Sequence, residues 1–508
     1  MPGKVILVGA GPGDPGLLTR KGLDAIRSAE VVVYDRLVSP AILALMPEDA
    51  EQINVGKEAA HHLVPQEGIN QILLDKALEG KTVVRLKGGD PFLFGRGGEE
   101  LELLARHRIP FEEVPGITSA IAAPAYGGIP VTHRDCCSSL HIVTGHQRAG
   151  KELDIDFEAL VRTGGTLVFL MGVSALPAIC RGLLDAGMAP DTPAATVERG
   201  TTPAQRRTSA ALADLPRRAA EVGVKSPAVI VVGQVCALAE QFDWFDRLPL
   251  KGKTVVVTRP KERAGTLSGR LRSLGADVWE YPCIATVPLD SCPELEAAMG
   301  RLSAYEWLAL TSPAGAEYLW SALERSGRDA RALSGVRIAA LGSGTARALE
   351  AHGLRPDFVP EVYDAAHLGA GLAERARGKV LILRAREGSH ALTAALEGAK
   401  LEYDDVATYE TRYENPRSAA LRRAVEEGAV DLVTFTSAST VKGFVSSVGE
   451  ADFSRILGVC IGEQTAAEAR KYGIPVAVAR KAALESLTAC AVEAVSGMEA
   501  SKEESRWT

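Results

Sequence analysis

Short apolar runs alternate with amphipathic stretches along the first hundred residues. Val5–Val8, Val31–Tyr34 and Thr82–Leu86 read as buried strands, while Leu17–Ala29 and Ile69–Leu78 carry apolar residues at helical spacing. This strand–helix rhythm predicts a mainly parallel sheet covered by helices. The pattern breaks after Val114, where Pro115-Gly116 opens a new segment, and strands resume at Leu140–Val143, Thr166–Met171 and Ala228–Val232. Two lobes are expected, about 1–115 and 116–240. Gln241–Lys253 has neither periodicity and precedes a fresh strand, Thr254–Thr258. The main linker is expected there, with 246–253 dividing a first half of 1–245 from a second.

Beyond that break the chain repeats itself loosely. A strand ends in Arg at Val255–Arg259 and again at Val380–Arg384, and a strand ends in Thr-Ser at Thr311-Ser312 and again at Thr436-Ser437. Ile338–Leu354 (IAALGSGTARALEAHGL) and Val459–Ile474 (VCIGEQTAAEARKYGI) form the third pair, each a strand, a Gly-containing turn with Thr345 or Thr465, and a helix. The second half is therefore expected to hold two similar α/β lobes. Hydroxyls at strand ends beside helix N-termini offer donors suited to carboxylates.

At 508 residues the chain is too long for one core, and domains of about 100–200 residues suggest roughly three to five. Hydrophobic residues at 46% and charged residues at 24% describe an ordinary globular protein. The N-terminal stretch runs directly into a glycine-rich turn and reads as a strand, not a secretory signal, and no apolar run reaches spanning length. Eight cysteines without CxxC spacing, two of them adjacent at Cys136 and Cys137, suit reduced thiols and no structural metal. A cytoplasmic, membrane-free protein is expected. A net charge of -7 gives no global attraction to nucleic acid, so anionic ligands must be held by local Arg and Lys.

Three glycine-bearing runs carry the candidate chemistry of the first half. GAGPGDPGLLT (Gly9–Thr19) follows a strand and precedes a helix, as a dinucleotide-binding turn would, with Asp35 at the next strand's end as a ribose acceptor. Pro12 and Pro15 stiffen that turn and the GxGxxG spacing is not kept, so a tight turn is the competing explanation. RLKGGDPFLFGRGGEE (Arg85–Glu100) has glycines that permit close backbone approach and an acid, Asp90, that can accept from hydroxyls; a rigid loop with solvated charges is its plain alternative. VPGITSA (Val114–Ala120) puts Thr118 and Ser119 at a helix start, to cap it or to meet a ligand.

Together with AYGGIPVTHR (Ala125–Arg134), TGH (Thr144–His146), Met171-Gly172 and SPAVIVVG (Ser226–Gly233), these runs resemble the uroporphyrinogen-III C-methyltransferases over residues 3–245. The resemblance implies a two-lobed tetrapyrrole methylase fold with S-adenosylmethionine in the cleft between lobes. It carries cofactor contacts onto Pro12, Gly88, Gly89, Asp90, Leu93, Thr118, Ser119, Met171 and Gly200. It makes Asp35 and Lys57 the catalytic candidates, Asp35 as a proton acceptor and Lys57 as a proton donor or a holder of a substrate carboxylate, and Arg96, Glu99 and Arg134 the tetrapyrrole-binding residues. Alone, these charges would read as solvated strand ends or surface ion pairs, Met171 as core filler and Gly200 as a turn.

Residues about 251–495, through VVVTRP, ALTSPAGAEYL, IAALGSGTARAL, ATYET, FTSASTVKGF and CIGEQTAAEA, resemble uroporphyrinogen-III synthase. That implies two parallel-sheet α/β lobes, one about 254–286 plus 410–495 and the other about 287–409, with a flexible tail at 496–508. Tyr409 would assist the departing hydroxyl, and Thr311, Ser312, Thr436, Ser437 and Thr465 would bind substrate carboxylates, although capping is the common use of such hydroxyls. Arg259 and Arg384 are further candidates for charge.

The two resemblances imply one bifunctional enzyme. Hydroxymethylbilane is cyclised to uroporphyrinogen III, which S-adenosylmethionine then methylates at C2 and C7 to precorrin-2, for cobalamin or sirohaem. A homodimer through the first half is expected by the same resemblance, and dehydrogenase and chelatase activities are not expected. Two competing readings are an NAD(P)-dependent oxidoreductase built on Gly9–Asp35, and a methyltransferase of another precorrin with a C-terminal tetrapyrrole sensor.

Overall fold

The computed structural model describes residues 2–56, 64–145, 154–289, 292–414 and 418–504. The chain divides into two compact units, Met1–Lys251 and Gly252–Thr508.

In the first unit β1 (Lys4–Gly9), β2 (Val31–Tyr34), β3 (Glu51–Asn54), β4 (Thr82–Lys87) and β5 (Phe111–Val114) form a wholly parallel sheet, ordered β3-β2-β4-β1-β5. Helices cover both faces, which is why its central strands read as unbroken apolar runs. Val8, Val32, Val84 and Leu86 meet Ile26 and Ile42 on one face, whereas Val5, Leu7, Val33 and Val83 meet Leu73, Ala77 and Leu104 on the other. The helix expected over Leu17–Ala29 is shorter. A 3-10 turn, Pro15–Leu17, precedes a helix Arg20–Arg27, because Thr19 takes the N-cap and its hydroxyl accepts from the Gly22 N–H at 3.1 Å.

A second sheet contains β6 (Leu140–Thr144), β7 (Thr166–Leu170), β8 (Pro193–Glu198), β9 (Arg206–Ala211) and β10 (Ala228–Val232), ordered β6-β7-β10-β8-β9. Only β6 and β7 run parallel; β10 is antiparallel to both neighbours, and β8 returns directly as β9. The parallel rhythm thus describes the first lobe, and the second is mixed. Nor is Gln241–Lys251 a free connection. Phe245 and Leu250 are buried, Tyr126, Trp244 and Phe245 pack ring against ring at 4.8–5.5 Å, and Lys251 Nζ donates to the Pro203 and Gln205 carbonyls at 2.9 Å. An irregular segment anchored by single side chains shows no period to read.

The second unit holds β11 (Thr254–Val257), β12 (Asp277–Glu280), β13 (Ile284–Pro288), β14 (Trp307–Leu310), β15 (Arg337–Ala340), β16 (Val380–Ala385), β17 (Tyr403–Tyr413), β18 (Leu432–Phe435), β19 (Leu457–Cys460) and β20 (Val476–Val478). One sheet, β12-β11-β18-β19-β20, is parallel throughout; the other, β13-β17-β16-β14-β15, is parallel except where β13 opposes β17. The sequence repeat is a repeat of topology. β11, β18 and β19 lie side by side in one sheet as β16, β14 and β15 do in the other. The helix Leu484–Glu504 runs into the stretch expected to be a flexible tail, where Ala, Glu, Met and Lys favour helix. No described helix is long and apolar enough to cross a membrane.

Candidate active sites

The three glycine runs of the first unit meet at the carboxyl ends of adjacent strands β4, β1 and β5. This is the edge where open α/β sheets bind ligands. Gly11 and Gly89 exchange backbone hydrogen bonds, Gly11 N–H to the Gly89 carbonyl at 3.1 Å and Gly89 N–H to the Gly11 carbonyl at 2.7 Å. A Cβ at Gly116 would strike the Gly89 carbonyl oxygen and lie 2.6 Å from Gly9 Cα, so backbone packs on backbone with no room for a side chain. Asp90 ties the second run to the third. Its Oδ1 accepts from Phe92 and Leu93 N–H at 2.9 and 3.0 Å, and its Oδ2 from Gly116 N–H at 3.1 Å.

Most of the expected cofactor residues converge here. Thr118 caps the helix Ser119–Tyr126, accepting from Ala120 N–H at 3.2 Å, and a Cβ on Gly89 would come into contact with the backbone of Thr118 and Ser119 at 3.9–4.0 Å. A Cβ on Gly200 would collide with Ala123 of the same helix, and Gly13, next to Pro12, abuts Thr201 and Thr202. Tyr126 Oη donates to Asp14 Oδ2 at 2.7 Å, locking the first run onto that helix. Leu93 packs into the second lobe's core with Ala120, Val168 and Leu170, bridging the lobes. Met171 follows β7 at φ 56° with about half its surface exposed.

Asp35 follows β2, its Oδ1 accepting from Leu37 N–H at 2.9 Å, and Leu37 lies against Gly88. Arg96, at φ 60°, precedes the helix Gly97–Arg106, and its guanidinium Nε lies 3.0 Å from each Glu99 carboxylate oxygen. This exposed pair holds the Arg96 proton more firmly than usual and keeps Glu99 below the ordinary carboxylate range, chiefly through that hydrogen bonding. Arg134 is exposed; Lys57 and His146 lie outside the described residues.

In the second unit Tyr409, on β17 and 5% exposed, lies 2.6 Å from Ser312 Oγ and stacks on Tyr318 at 5.4 Å between ring centres. Ser312 also caps the helix Pro313–Arg325, accepting from Gly315 N–H at 3.0 Å. Its counterpart Ser437 caps Ala438–Val448, accepting from Thr440 N–H at 3.2 Å while Thr440 Oγ1 accepts from Ser437 N–H. Both serine hydroxyls thus serve as helix caps. Thr311 and Thr436 are half-buried beside them, whereas Thr465 is 5% exposed inside its helix. Arg384 is not a free charge: Asp405 accepts from its Nε at 2.7 Å and raises its proton affinity.

Residues 4–216 match the tetrapyrrole (corrin/porphyrin) methylases and residues 265–489 match uroporphyrinogen-III synthase HemD. Over 487 residues, 96% of this chain and 97% of the other, the sequence is 50% identical to porphyrin biosynthesis protein HemD of Ruminiclostridium josui. The chain belongs to that family. Its first half is also 55% identical over 245 residues to a siroheme synthase of Pseudomonas fluorescens (strain SBW25), 48% of this chain and 53% of that one. The chain spans about half the length of that siroheme synthase. A solved uroporphyrin-III C-methyl transferase from Thermus thermophilus, complexed with S-adenyl homocysteine, is 43% identical at a TM-score of 0.41, covering 46% of this chain and 100% of its own.

In this HemD-family chain a tetrapyrrole methylase domain is joined to a uroporphyrinogen-III synthase domain, and the oxidoreductase reading of Gly9–Asp35 falls. The helix after the first glycine run starts only at Arg20, capped by Thr19, and Asp14 caps the 3-10 turn between them. The glycines therefore deliver no helix N-terminus to a pyrophosphate. The first and third runs, Gly9–Thr19 and Val114–Ala120, carry no Lys or Arg to meet a pyrophosphate's charge.

Motif reading missed a buried charge cluster beside Asp35. Arg85 and Lys87 on β4 and Glu100 on Gly97–Arg106 are 3%, 5% and 0% exposed. Glu100 Oε1 accepts from Lys87 Nζ at 2.6 Å and from Arg85 Nε and Gln66 Nε2 at 3.3 Å, while Arg85 Nη2 lies 3.6 Å from Asp35 Oδ2. The signal was present: two charges at period two in the apolar strand TVVRLK must share one face.

Proposed function

We propose that the second unit cyclises hydroxymethylbilane to uroporphyrinogen III and the first methylates that product at C2 and C7 with S-adenosylmethionine, giving precorrin-2. The observation that carries this is the pairing in one chain of two domains whose chemistry is consecutive. Precorrin-2 would feed sirohaem or cobalamin formation.

The glycine cradle supports the methyl-donor part. Pro12, Gly88, Gly89, Asp90, Thr118, Ser119 and Gly200, with Leu93 and Met171 at its rim, would hold the donor. Open backbone and the acids Asp14 and Asp90 suit an adenosyl group carrying a sulfonium cation. When bound, S-adenosylmethionine supplies an electrophilic methyl group. Asp35 would accept the proton released as the pyrrole carbon is alkylated, and Lys57 would return a proton or hold a substrate carboxylate. Arg96 and Arg134 would bind tetrapyrrole carboxylates, with Glu99 orienting Arg96 through its existing ion pair.

In the synthase unit Tyr409 would donate a hydrogen bond to the leaving hydroxyl, with Ser312 and Tyr318 fixing its ring. Thr311, Ser312, Thr436 and Ser437, at two helix N-termini, would bind carboxylates; Thr465 enters only through the helix start to which it belongs. Self-association through the first unit is part of the same reading and is checked by sedimentation. The deciding experiment is anaerobic incubation of the whole protein with hydroxymethylbilane and S-adenosylmethionine, then mass and isomer analysis of the oxidised products. Dimethylated type III product is expected. Unmethylated type III would remove the methyltransferase half of the reading, and type I alone would remove the synthase half.

A further inference from the structure

We propose that Lys87, Arg85 and Glu100 form a buried positioning cluster that fixes Asp35 for methyl transfer, with Lys87 deciding which carboxylate Arg85 serves. This rests on the methyltransferase reading above. Asp35 is held on one side by its own turn, through Leu37 N–H, and on the other by Arg85 at 3.6 Å. Arg85 is almost wholly removed from water and also donates to the Leu86 carbonyl at 2.9 Å and the Val33 carbonyl at 3.4 Å. Its guanidinium is thereby pinned between two acids, Asp35 and the fully buried Glu100.

Glu100 and Asp35 compete for that guanidinium. A carboxylate out of water needs donors or it neutralises. The 2.6 Å bond from Lys87 supplies the stronger donor to Glu100, at the same oxygen that Arg85 reaches at only 3.3 Å. Glu100 Oε2 is buried without a hydrogen-bond partner among the described residues, so Glu100 has unused capacity for Arg85. Without the Lys87 charge, Glu100 draws Arg85 toward itself and Asp35 loses its counter-charge. A purely structural site of this size would be filled more cheaply by apolar side chains.

Among the described residues, the charged groups facing Lys87 are Arg85 on its own strand, Glu99 and Glu100 on Gly97–Arg106, and Asp35 beyond β2. Burial, then Arg85, pull the Lys87 ammonium below the ordinary lysine range against the opposing pull of Glu100 and Asp35. Lys87 therefore discharges at lower pH than an exposed lysine, and methyl transfer should weaken on the alkaline side as it does. Arginine at this position stays charged throughout.

The test compares the full-length wild-type chain with Lys87→Met and Lys87→Arg under anaerobic conditions, with uroporphyrinogen III and S-adenosylmethionine. It reads kcat, the KM for the methyl donor, the profile over roughly pH 7 to 10, and calorimetric binding of S-adenosylhomocysteine. Lys87→Met should lower kcat about 10- to 100-fold, the scale of a displaced catalytic group, with donor KM and S-adenosylhomocysteine binding little changed. Lys87→Arg should restore kcat and move the alkaline limb to higher pH. Wild-type kcat in Lys87→Met overturns the proposal. So does an alkaline limb in Lys87→Arg identical to that of the wild type, which decides the matter even if Lys87→Met fails to fold. A wild-type chain that binds S-adenosylhomocysteine but methylates nothing removes the methyltransferase reading itself.

Discussion

Replacing Gly116 by alanine should separate the three glycine runs and weaken the first unit measurably. The added Cβ has nowhere to go: it meets the Gly89 carbonyl oxygen and lies 2.6 Å from Gly9 Cα, both backbone. Ordinary carbon contacts begin near 3.5 Å, so the loops must part by about 1 Å. Overpacking of that kind costs about 1–3 kcal/mol. Parting the loops also stretches the Asp90 Oδ2 bond to Gly116 N–H, and a hydrogen bond to a charged group contributes about 1.5–3 kcal/mol. Together they predict a loss of roughly 3–5 kcal/mol, a fall of about 10 °C in the first unit's melting temperature. Gly116 is not at positive φ, so the loss is one of contact and not of backbone strain. The control is Gly98→Ala, whose Cβ meets nothing within 4 Å in the first turn of Gly97–Arg106 and should stabilise by about 0.4–1 kcal/mol. Scanning calorimetry of the full chain reads both, with the second unit's transition as internal reference. A Gly116→Ala transition within a degree of wild type, with S-adenosylhomocysteine binding unchanged, would refute the close-packed cradle.

Other expectations are as direct. Tyr409→Phe should lower synthase turnover by about 10²–10⁴-fold, the phenol acting as an acid, whereas Ser312→Ala should cost about 1 kcal/mol as a lost cap and a smaller loss of turnover; the rate and isomer ratio of uroporphyrinogen read the turnover and denaturant titration reads the cap. Glu112 is held down to about 2 by hydrogen bonds from Lys21 and then Lys4, so its stabilising contribution is present above the ordinary carboxylate value and disappears as pH falls through that window. The difference between wild type and Glu112→Gln in denaturant titrations should be about 1 kcal/mol at pH 7, modest because the lysines are exposed, and should close toward pH 2. A fragment ending at Lys251 should fold, whereas one ending at Glu240 lacks the buried Phe245 and Leu250, each contributing about 1.5–3 kcal/mol, and should melt markedly lower.

Local pattern was enough for the three central strands of the first sheet, though not for its edge strands Glu51–Asn54 and Phe111–Val114, and for the internal repeat of the second unit. Both write a short-range period into the chain: apolar runs where a strand is covered on both faces, and a strand–turn–helix unit used twice. Glycine pairs likewise marked Gly88 and Gly89 as places of close approach, whereas Gly116 was legible only as the opening of a new segment and Gly98 has no near neighbour. The chain's own order could not state which strands become neighbours. β11 pairs with β18 although the strands of the other sheet lie between them in the chain, and β10 reverses the direction of its lobe. Side-chain partners across such distances depend on register, which is set by packing and not by any one segment. Ser312 therefore meets Tyr409, Tyr126 meets Asp14, and Arg85 stands between Asp35 and Glu100 only because the tertiary structure of each unit brings separate elements together. The sequence determined which residues were available for chemistry, and the tertiary structure decided which of them face one another in a space closed to water, where a charge must find a partner.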